Sequence, residues 1–175
     1  MRTFRIILVL AWFVSGCQPK ATIQQFEQLI QKCEYTAIMF IAPDCPLCIT
    51  LSKPFQELFP KNKNYQFLGV ISGQYYSPEE INMFAIETPF SMPIFRDYNY
   101  TVAKKYKISV TPEFLIINKK GEVIYQGMID DRIEELGRYK QQWKKHYLKD
   151  ALESLNRGRA PLIKKTIPVG CSLEY

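Results

Sequence analysis

The 175-residue chain has few of the residues that most metal sites require. It contains one histidine, His146, and five cysteines, of which Cys45 and Cys48 alone form a Cys-x-x-Cys pair. A structural zinc site needs four ligands, so a single pair and a single histidine predict no metal site. We also find no internal repeat, no low-complexity segment and no nucleic-acid-binding motif. With 47% apolar and 23% charged residues, the composition is that of one globular domain.

The net charge is modest for a basic protein. Its formal value is +6, and the lysines are spread through segments with helical or loop character, such as Lys104–Lys107 and Lys144–Lys145. We interpret these lysines as solvated surface, with attraction to an anionic membrane as the alternative. No nucleic-acid partner is expected.

The apolar run near the N-terminus is too short to cross a bilayer. Ile6–Val14 is nine residues long, whereas a membrane-spanning helix needs about 20. Arg2 and Arg5 precede the run, and a basic start before a short apolar stretch is typical of a secretory signal peptide. Residues 1–16 are therefore predicted to be a leader, and the remainder an exported protein in a compartment where disulfides persist.

Val14-Ser15-Gly16-Cys17 follows the apolar run at once and resembles the lipobox of bacterial lipoproteins. The resemblance implies that Cys17 receives a diacylglyceryl group and becomes the new N-terminus, with residues 17–21 as a tether. The alternatives are an ordinary secretory leader that happens to contain Cys17, or an uncleaved anchor. We expect a protein of the bacterial cell envelope, anchored to the membrane by its N-terminal lipid, with the globular domain facing the periplasm.

The rest of the sequence predicts an α/β fold. The continuous apolar run Thr36–Ala42 is typical of a strand covered on both faces. Capping boxes at Thr22 and Ser77 predict two helix starts. Further strands are predicted at 65–71 and 93–96, a helix at 101–106, and a hairpin from 113–118 and 122–126. This order indicates a central mixed sheet flanked by helices over residues 22–131.

Residues 132–175 are predicted to add a C-terminal helix and a cysteine-containing tail. Apolar residues recur at helical spacing from Ile133 to Leu155, through Leu136, Tyr139, Trp143, Tyr147, Ala151 and Leu152. This pattern predicts one long helix that ends near Gly158. His146 falls on its lysine-rich side and is expected to be solvated.

Cys45 and Cys48 stand where a buried strand ends and a helix begins. The free N–H groups of a helix start favour an anion, so Cys45 is placed to react as a thiolate. Cys48, one turn later, could resolve a mixed disulfide and should be the more buried thiol. Asp44 should disfavour the Cys45 thiolate, which favours a reductant over a strong oxidant. A purely structural disulfide is the alternative.

Three segments in this region resemble the redoxin branch of the thioredoxin superfamily, which includes TlpA-like thiol-disulfide oxidoreductases and peroxiredoxins. They are Phe40–Cys48, Val110–Ile116 and the turn Asn118–Glu122, within a stretch from Tyr35 to about Asp131. The resemblance implies that Cys45 is the nucleophile and Cys48 the resolving thiol. It also implies that Pro112 is cis and that the backbone of Thr111 binds the substrate chain.

The chain departs from this family's patterns at several positions. Met39 stands where thioredoxin has its buried acid, and Glu113 is a possible substitute, although an exposed or hydrogen-bonded glutamate is the alternative. The peroxidatic motif Pro-x-x-x-Thr-x-x-Cys is missing, because Ile38 and Ala42 occupy its proline and threonine positions. Peroxidase activity is therefore not expected.

The sequence thus predicts a membrane-tethered thiol-disulfide oxidoreductase that acts on envelope proteins. Its expected partners are protein thiols and disulfides and a membrane or soluble thiol donor; it needs no cofactor and is expected to be a monomer. One alternative is a copper-delivery protein of the Sco type, although that family spaces its cysteines by three residues. Another is a redox-inactive interaction module.

Two further cysteines, Cys33 and Cys171, have no assigned role. Cys33 follows Phe26 and Ile30 at helical spacing and is interpreted as a small buried residue of the first helix. Cys171 follows Gly170 in a tail without periodicity, similar to the Gly-Cys segment that ends some bacterial redoxin-domain proteins. Three fates stay open for it: a structural bridge to Cys33, a third redox partner for Cys45, or a buried free thiol. A bridge requires Cα atoms within about 7 Å.

Overall fold

The computed structural model of the chain describes residues 22–59 and 64–175. The predicted leader, residues 1–16, and the predicted tether, residues 17–21 with Cys17, lie outside the described residues. No helix in the described ranges is both long and apolar enough to cross a membrane.

Nine strands and five helices are assigned within the described residues. The strands are β1 (Tyr35–Phe40), β2 (Tyr65–Ser72), β3 (Ile94–Asp97), β4 (Val110–Thr111), β5 (Glu113–Asn118), β6 (Val123–Gly127), β7 (Ile133–Glu135), β8 (Arg138–Tyr139) and β9 (Cys171–Ser172). The helices are α1 (Ile23–Ile30), α2 (Pro46–Glu57), α3 (Pro78–Glu87), α4 (Thr101–Tyr106) and α5 (Tyr147–Asn156).

The central sheet is mixed, as the sequence predicts. Its strand order is β3-β2-β1-β5-β6. The first three strands are parallel, β5 runs antiparallel to β1, and β6 runs antiparallel to β5. The predicted fold class, a thioredoxin-like α/β fold with a C-terminal helix and tail, is therefore confirmed.

Strand β1 is apolar throughout because both faces of the sheet are covered. Ala37 and Met39 pack into the hydrophobic cluster that holds α2 and α5, together with both cysteines of the pair. Ile38 and Phe40 pack into a second cluster, against α1 and α4. Side chains alternate between the faces of a strand, so only a continuous apolar run can fill both layers.

Both predicted capping boxes are confirmed. The Thr22 and Ser77 side chains each accept a hydrogen bond from the N–H three residues later. The Gln25 and Glu80 side chains in turn accept hydrogen bonds from the N–H groups of Thr22 and Ser77. These reciprocal bonds satisfy amide groups that a helix start would otherwise leave without partners. They fix where α1 and α3 begin on either side of the sheet.

The long helix predicted from Ile133 to Leu155 is wrong. Residues 133–139 form the hairpin β7–β8, a loop follows, and the helix is limited to α5. Gly137 takes a left-handed conformation, with φ +82°, in the hairpin turn. The carboxylate of Asp131 accepts hydrogen bonds from the N–H groups of Lys144 and Lys145, which holds the loop in a non-helical course. The helical apolar spacing is therefore coincidental before Tyr147, and Leu136, 60% exposed, contributes nothing to the core.

The residues after α5 run along the edge of the central sheet. Gln126 of β6 exchanges backbone hydrogen bonds with this segment, accepting from the N–H of Thr166 and donating to the carbonyl of Lys164. The Thr166 hydroxyl also accepts a hydrogen bond from the Met128 N–H at 2.8 Å. The chain then reaches β9, which pairs antiparallel with β4. This path carries the C-terminus back to the start of α2.

Candidate active site

Cys45 lies at the junction that the sequence predicts. It is the N-cap residue of α2, and Pro46 takes the first helical position. Proline is well suited there, because the first helical N–H has no partner within the helix. The Cys45 side chain is 2% exposed, so its sulfur is enclosed by protein.

Cys48 lies in the first turn of α2 and is fully buried. Its sulfur accepts a hydrogen bond from the N–H of Ala42 at 3.4 Å. Burial raises the pKa of the Cys48 thiol to about 12, and the charge of Asp44 adds to the increase, while hydrogen bonds from Ala42 and Thr111 oppose it. At neutral pH the thiol is therefore protonated and must lose its proton before it can attack a disulfide.

Asp44 forms a hydrogen bond that the sequence did not indicate. Its carboxylate accepts a hydrogen bond from the hydroxyl of Tyr76, which comes from the loop before α3. Burial raises the pKa of the Tyr76 hydroxyl, and the bond to Asp44 raises it further. The sequence predicts that the Asp44 carboxylate raises the pKa of Cys45. In the structure the same carboxylate raises the pKa of Cys48.

The Thr111–Pro112 segment faces the start of α2. The peptide bond between these two residues is cis, as predicted from the resemblance. Both residues are buried, and the carbonyl oxygen of Thr111 lies 3.3 Å from the Cys45 sulfur. The structure thus brings Cys45, Cys48, Thr111 and Pro112 together at the predicted site.

Cys171 forms a disulfide bond with Cys45, across 126 residues of sequence. The Cα atoms of the two residues are 6.4 Å apart, within the range that a disulfide requires. The backbone of Cys171 is paired with Thr111, and that of Ser172 with Val110. Of the three fates left open, the structure contains the bond to Cys45, while Cys48 keeps a free thiol.

Cys33 does not take the place that its spacing predicts. Helix α1 ends at Ile30 and is capped by Gln31, so Cys33 lies beyond the helix, is half-buried and carries a free thiol. The prediction of a buried residue on the apolar face of the first helix is therefore wrong. The bridge from Cys33 to Cys171 is not formed, because Cys171 is bonded to Cys45.

Glu113 is buried, but it faces away from the cysteine pair. Its neighbour Phe114 packs into the cluster that holds Cys45 and Cys48, and adjacent side chains of a strand point to opposite faces. The Glu113 carboxylate accepts hydrogen bonds from the Gln126 side chain at 2.7 Å and from the Ser109 N–H. Burial raises its pKa, and these bonds oppose the rise. Glu113 is therefore a hydrogen-bonded structural residue, the alternative foreseen from the sequence.

His146 and Met39, two further residues considered from the sequence, lie in an exposed and a buried position. His146 is exposed and occupies the N-cap position of α5, where its side chain makes no capping hydrogen bond. Met39, at the position of thioredoxin's acid, is buried among apolar side chains. Among residues 22–59 and 64–175, no group of three or more histidine, cysteine or acidic side chains is arranged to hold a metal ion.

A groove of about 310 Å³ lies next to the cysteine pair. It runs between the start of α2 and the helix α3, and its walls include Asp44, Ile49, Tyr76 and Met83. Ile49 and Met83 are both about half exposed. Acidic residues of α3, among them Glu80 and Glu87, also line this groove.

The fold and this site define a thioredoxin-fold protein. The sequence profile of the AhpC/TSA family matches residues 17–126, which is more than half of the chain. The chain belongs to the AhpC/TSA family. The resemblance to the redoxin branch is thus confirmed, and the family together with the cysteine pair supports a thiol-disulfide oxidoreductase of the thioredoxin type.

Solved structures include similar chains. An uncharacterized conserved protein from Geobacillus kaustophilus is 26% identical, with a TM-score of 0.65 over 85% of this chain and 80% of that chain. A hypothetical protein from Sinorhizobium meliloti is 16% identical, with a TM-score of 0.64 over 85% and 83%. A secreted Mycobacterium tuberculosis disulfide oxidoreductase, homologous to Escherichia coli DsbE, is 16% identical, with a TM-score of 0.47 over 55% and 69%. No curated protein matches the chain.

Proposed function

We propose that the protein is an envelope thiol-disulfide oxidoreductase in which Cys45 is the nucleophile and Cys48 the resolving thiol. One observation carries the proposal: Cys45 caps α2 with its sulfur 3.3 Å from the carbonyl oxygen of Thr111, beside the cis peptide bond to Pro112. The N–H groups of α2 favour a thiolate on Cys45, and the backbone of Thr111 offers hydrogen bonds to an extended substrate chain.

The reaction is an exchange of sulfur–sulfur bonds. The Cys45 thiolate attacks one sulfur of a substrate disulfide, a bond forms between them, and the other substrate sulfur leaves as a thiolate. Cys48 then loses its proton and attacks Cys45, which releases the second substrate sulfur and leaves a Cys45–Cys48 disulfide. The substrate has gained two electrons, and a thiol donor must return two electrons to the enzyme.

Substitution of the two cysteines tests these roles. In an insulin reduction assay with dithiothreitol, Cys45→Ser should abolish activity, because no nucleophile remains. Cys171 can also reach Cys45, so the second variant is made in a Cys171→Ser background. There, after removal of dithiothreitol, Cys48→Ser should accumulate mixed disulfides with the substrate, visible on non-reducing gels, because attack proceeds without resolution. Cys33→Ser is the matched control and should keep the wild-type rate. Full activity of Cys45→Ser would show that the nucleophile is misassigned.

The proposal includes membrane attachment through Cys17. Support comes from the sequence alone: the basic start, the nine-residue apolar run and the lipobox-like Val14-Ser15-Gly16-Cys17. Labelling of growing bacteria with a palmitate analogue should mark the wild-type protein. Cys17→Ser should lose the label and accumulate as an unprocessed precursor, while Cys33→Ser keeps the label. Unchanged labelling of the Cys17 variant would end this part of the proposal.

A further inference from the structure

We propose that the C-terminal strand β9 is a tethered substrate mimic, which covers the substrate-binding edge of β4 (Val110–Thr111) while Cys171 is bonded to Cys45 and exposes that edge when Cys48 displaces Cys171. This inference rests on the proposed function and adds a control on access to the same site. It also predicts the kind of substrate segment that pairs with β4.

The strand occupies the surface that a substrate chain would need. Cys171 and Ser172 pair antiparallel with Thr111 and Val110, the residues immediately before Pro112. The N–H of Leu173 donates a further hydrogen bond to the carbonyl of Ser109 at 2.9 Å. Because backbone groups on this edge are already paired, a substrate strand can bind there only after β9 leaves.

The register of the strand depends on Gly170. A Cβ atom at position 170 would lie 2.4 Å from the carbonyl oxygen of Thr111 and 2.8 Å from its carbonyl carbon. Both atoms belong to the backbone, which cannot move aside as a flexible side chain can. Glycine directly before the cysteine therefore lets the strand approach Thr111 closely enough to bring the Cys171 sulfur onto Cys45.

The tail is anchored to β6 upstream of β9. Thr166 is fixed to β6 through its backbone and its hydroxyl, which also lies 3.1 Å from the hydroxyl of Tyr125. Beyond it, Ile167 is 86% exposed. At the end of the chain, the Tyr175 ring packs on Tyr100 with centroids 5.7 Å apart. Thr166 is thus a fixed anchor from which the last residues can separate.

Displacement of the strand is a balanced exchange within the chain. The Cys48 sulfur loses its proton and attacks the Cys45 sulfur, a Cys45–Cys48 bond forms, and the Cys45–Cys171 bond breaks. Cys171 leaves as a thiolate and takes up a proton, so the oxidation state of the protein is unchanged. Burial of the Cys48 thiol, which raises its pKa to about 12, keeps this step slow at neutral pH and makes it faster as the pH rises.

The same contacts define the substrate class. A segment that replaces β9 must be extended, must place its cysteine opposite Thr111, and must carry a glycine directly before that cysteine. Leu173, two residues after Cys171, packs against the cluster on the α1 and α4 side of the sheet. An apolar residue two positions after the substrate cysteine would make the same contact.

Two variants remove the closure by different means, and a third is the matched control. Cys171→Ser removes the covalent bond, and Gly170→Val prevents the close approach to Thr111. Glu174→Ala alters an exposed residue of the same tail. A short tether presents its end at millimolar effective concentration, so releasing the tail should accelerate reduction of micromolar insulin roughly tenfold. Glu174→Ala should keep the wild-type rate.

A second readout does not depend on turnover. In the reduced protein, iodoacetamide should alkylate Cys45 about tenfold faster in Gly170→Val than in the wild type, because the tethered strand no longer covers the β4 edge beside Cys45. Circular dichroism establishes that the variant is folded. Wild-type rates of Cys45 alkylation in the folded Gly170→Val protein would overturn the inference, as would unchanged insulin reduction by Cys171→Ser. Loss of the proposed function is a different outcome, in which Cys45→Ser keeps full activity.

A peptide probe tests the substrate class directly. The probe copies residues 169–175 and is supplied as a mixed disulfide with glutathione, and its comparison carries Gly170→Val. The reduced Cys171→Ser protein should cleave the glycine peptide about tenfold faster, because only that peptide can pair closely with Thr111 and compete at the tethered strand's site. Equal rates would refute the proposed preference for glycine before cysteine.

Discussion

Two segments of the molecule can supply a sulfur to Cys45, and they are held in different ways. Cys48 is on α2, whose residues Leu51 and Phe55 are buried in the main hydrophobic cluster. Cys171 is on a two-residue strand that is held by backbone pairing, next to exposed residues of the tail. Packing in the core fixes the position of the Cys48 thiol, whereas Cys171 can move away from Cys45 if β9 separates from β4. This difference supports the two proposed roles, resolution for Cys48 and reversible closure for Cys171.

The largest expected effect concerns the packing of α2. Phe55 is fully buried, with its ring centroid 4.9 Å from that of Phe67 and 5.5 Å from that of Phe114. Phe55→Ala should lower the free energy of unfolding by about 3–5 kcal/mol in urea titrations. Phe59→Ala, which alters a half-exposed ring, should cost only about 1 kcal/mol. If the two variants lost equal free energy of unfolding, burial of the α2 side chains in the core would not be what holds the helix in place.

The Cys48 thiol should make stability depend on alkaline pH. Its pKa rises from 9.0 to about 12 on folding, so the folded state retains a proton that the unfolded state loses. This contribution is complete below pH 9 and is lost as the pH rises towards 12, by at most about 1.4 kcal/mol per pH unit. In reduced protein, the stability difference between wild type and Cys48→Ala should therefore fall above pH 9. A difference independent of pH would contradict the burial of the thiol.

Thr166, the anchor of the tail, should contribute less to the free energy of unfolding than the core residue Phe55. Thr166→Val removes the acceptor for the Met128 N–H and should cost about 1–2 kcal/mol. Thr166→Ser keeps the hydroxyl and should retain most of the wild-type stability in the same urea titration. If both variants lose the same amount, the hydroxyl is not what fixes the tail to β6.

Leu173 and Glu174, at the end of the tail, should contribute least to the free energy of unfolding. In reduced protein, Leu173→Ala should lower the free energy of unfolding by less than about 1 kcal/mol, because its side chain is only half-buried. Glu174→Ala should change it by no more than about 0.5 kcal/mol. A loss comparable to that of Phe55→Ala would show that β9 is part of the core and cannot open as proposed.

The sequence was informative where local patterns decide the structure. The apolar run of β1, the capping boxes at Thr22 and Ser77 and the Cys-x-x-Cys pair all depend on residues a few positions apart. After residue 131 the sequence pattern predicts the C-terminal helix but not its start: Asp131 and Gly137 impose turns on residues 133–145, whose apolar spacing is helical.

The active site also has components that local sequence predicts and components that only the folded chain shows. Its near components, Cys45 and Cys48, could be found from spacing, and the Thr111–Pro112 segment from the resemblance. The bond to Cys171 joins residues 126 positions apart and depends on the register of β9 against β4. The hydrogen bond between Tyr76 and Asp44 also needs the folded chain. A glycine directly before the tail cysteine was the one signal of close approach, and it did not identify the partner.

Disulfide mapping of the oxidised protein tests the central claim most directly. The protein would be unfolded in mildly acidic guanidinium with N-ethylmaleimide, which blocks free thiols before they can exchange, and then digested with trypsin. Cys33, Cys45 and Cys48 remain in one tryptic peptide, because the first lysine or arginine after Cys33 is Lys53. Cys171 lies in the peptide that follows Lys165. Mass spectrometry with fragmentation then assigns the linked sulfur.

The account predicts that the two peptides are joined through Cys45 and Cys171, with N-ethylmaleimide on Cys48 and Cys33. Gly170→Val should shift the bond to Cys45–Cys48 and leave Cys171 blocked, while Glu174→Ala should give the wild-type pattern. A link from Cys171 to Cys33, or a Cys45–Cys171 bond that persists unchanged in Gly170→Val, would contradict it.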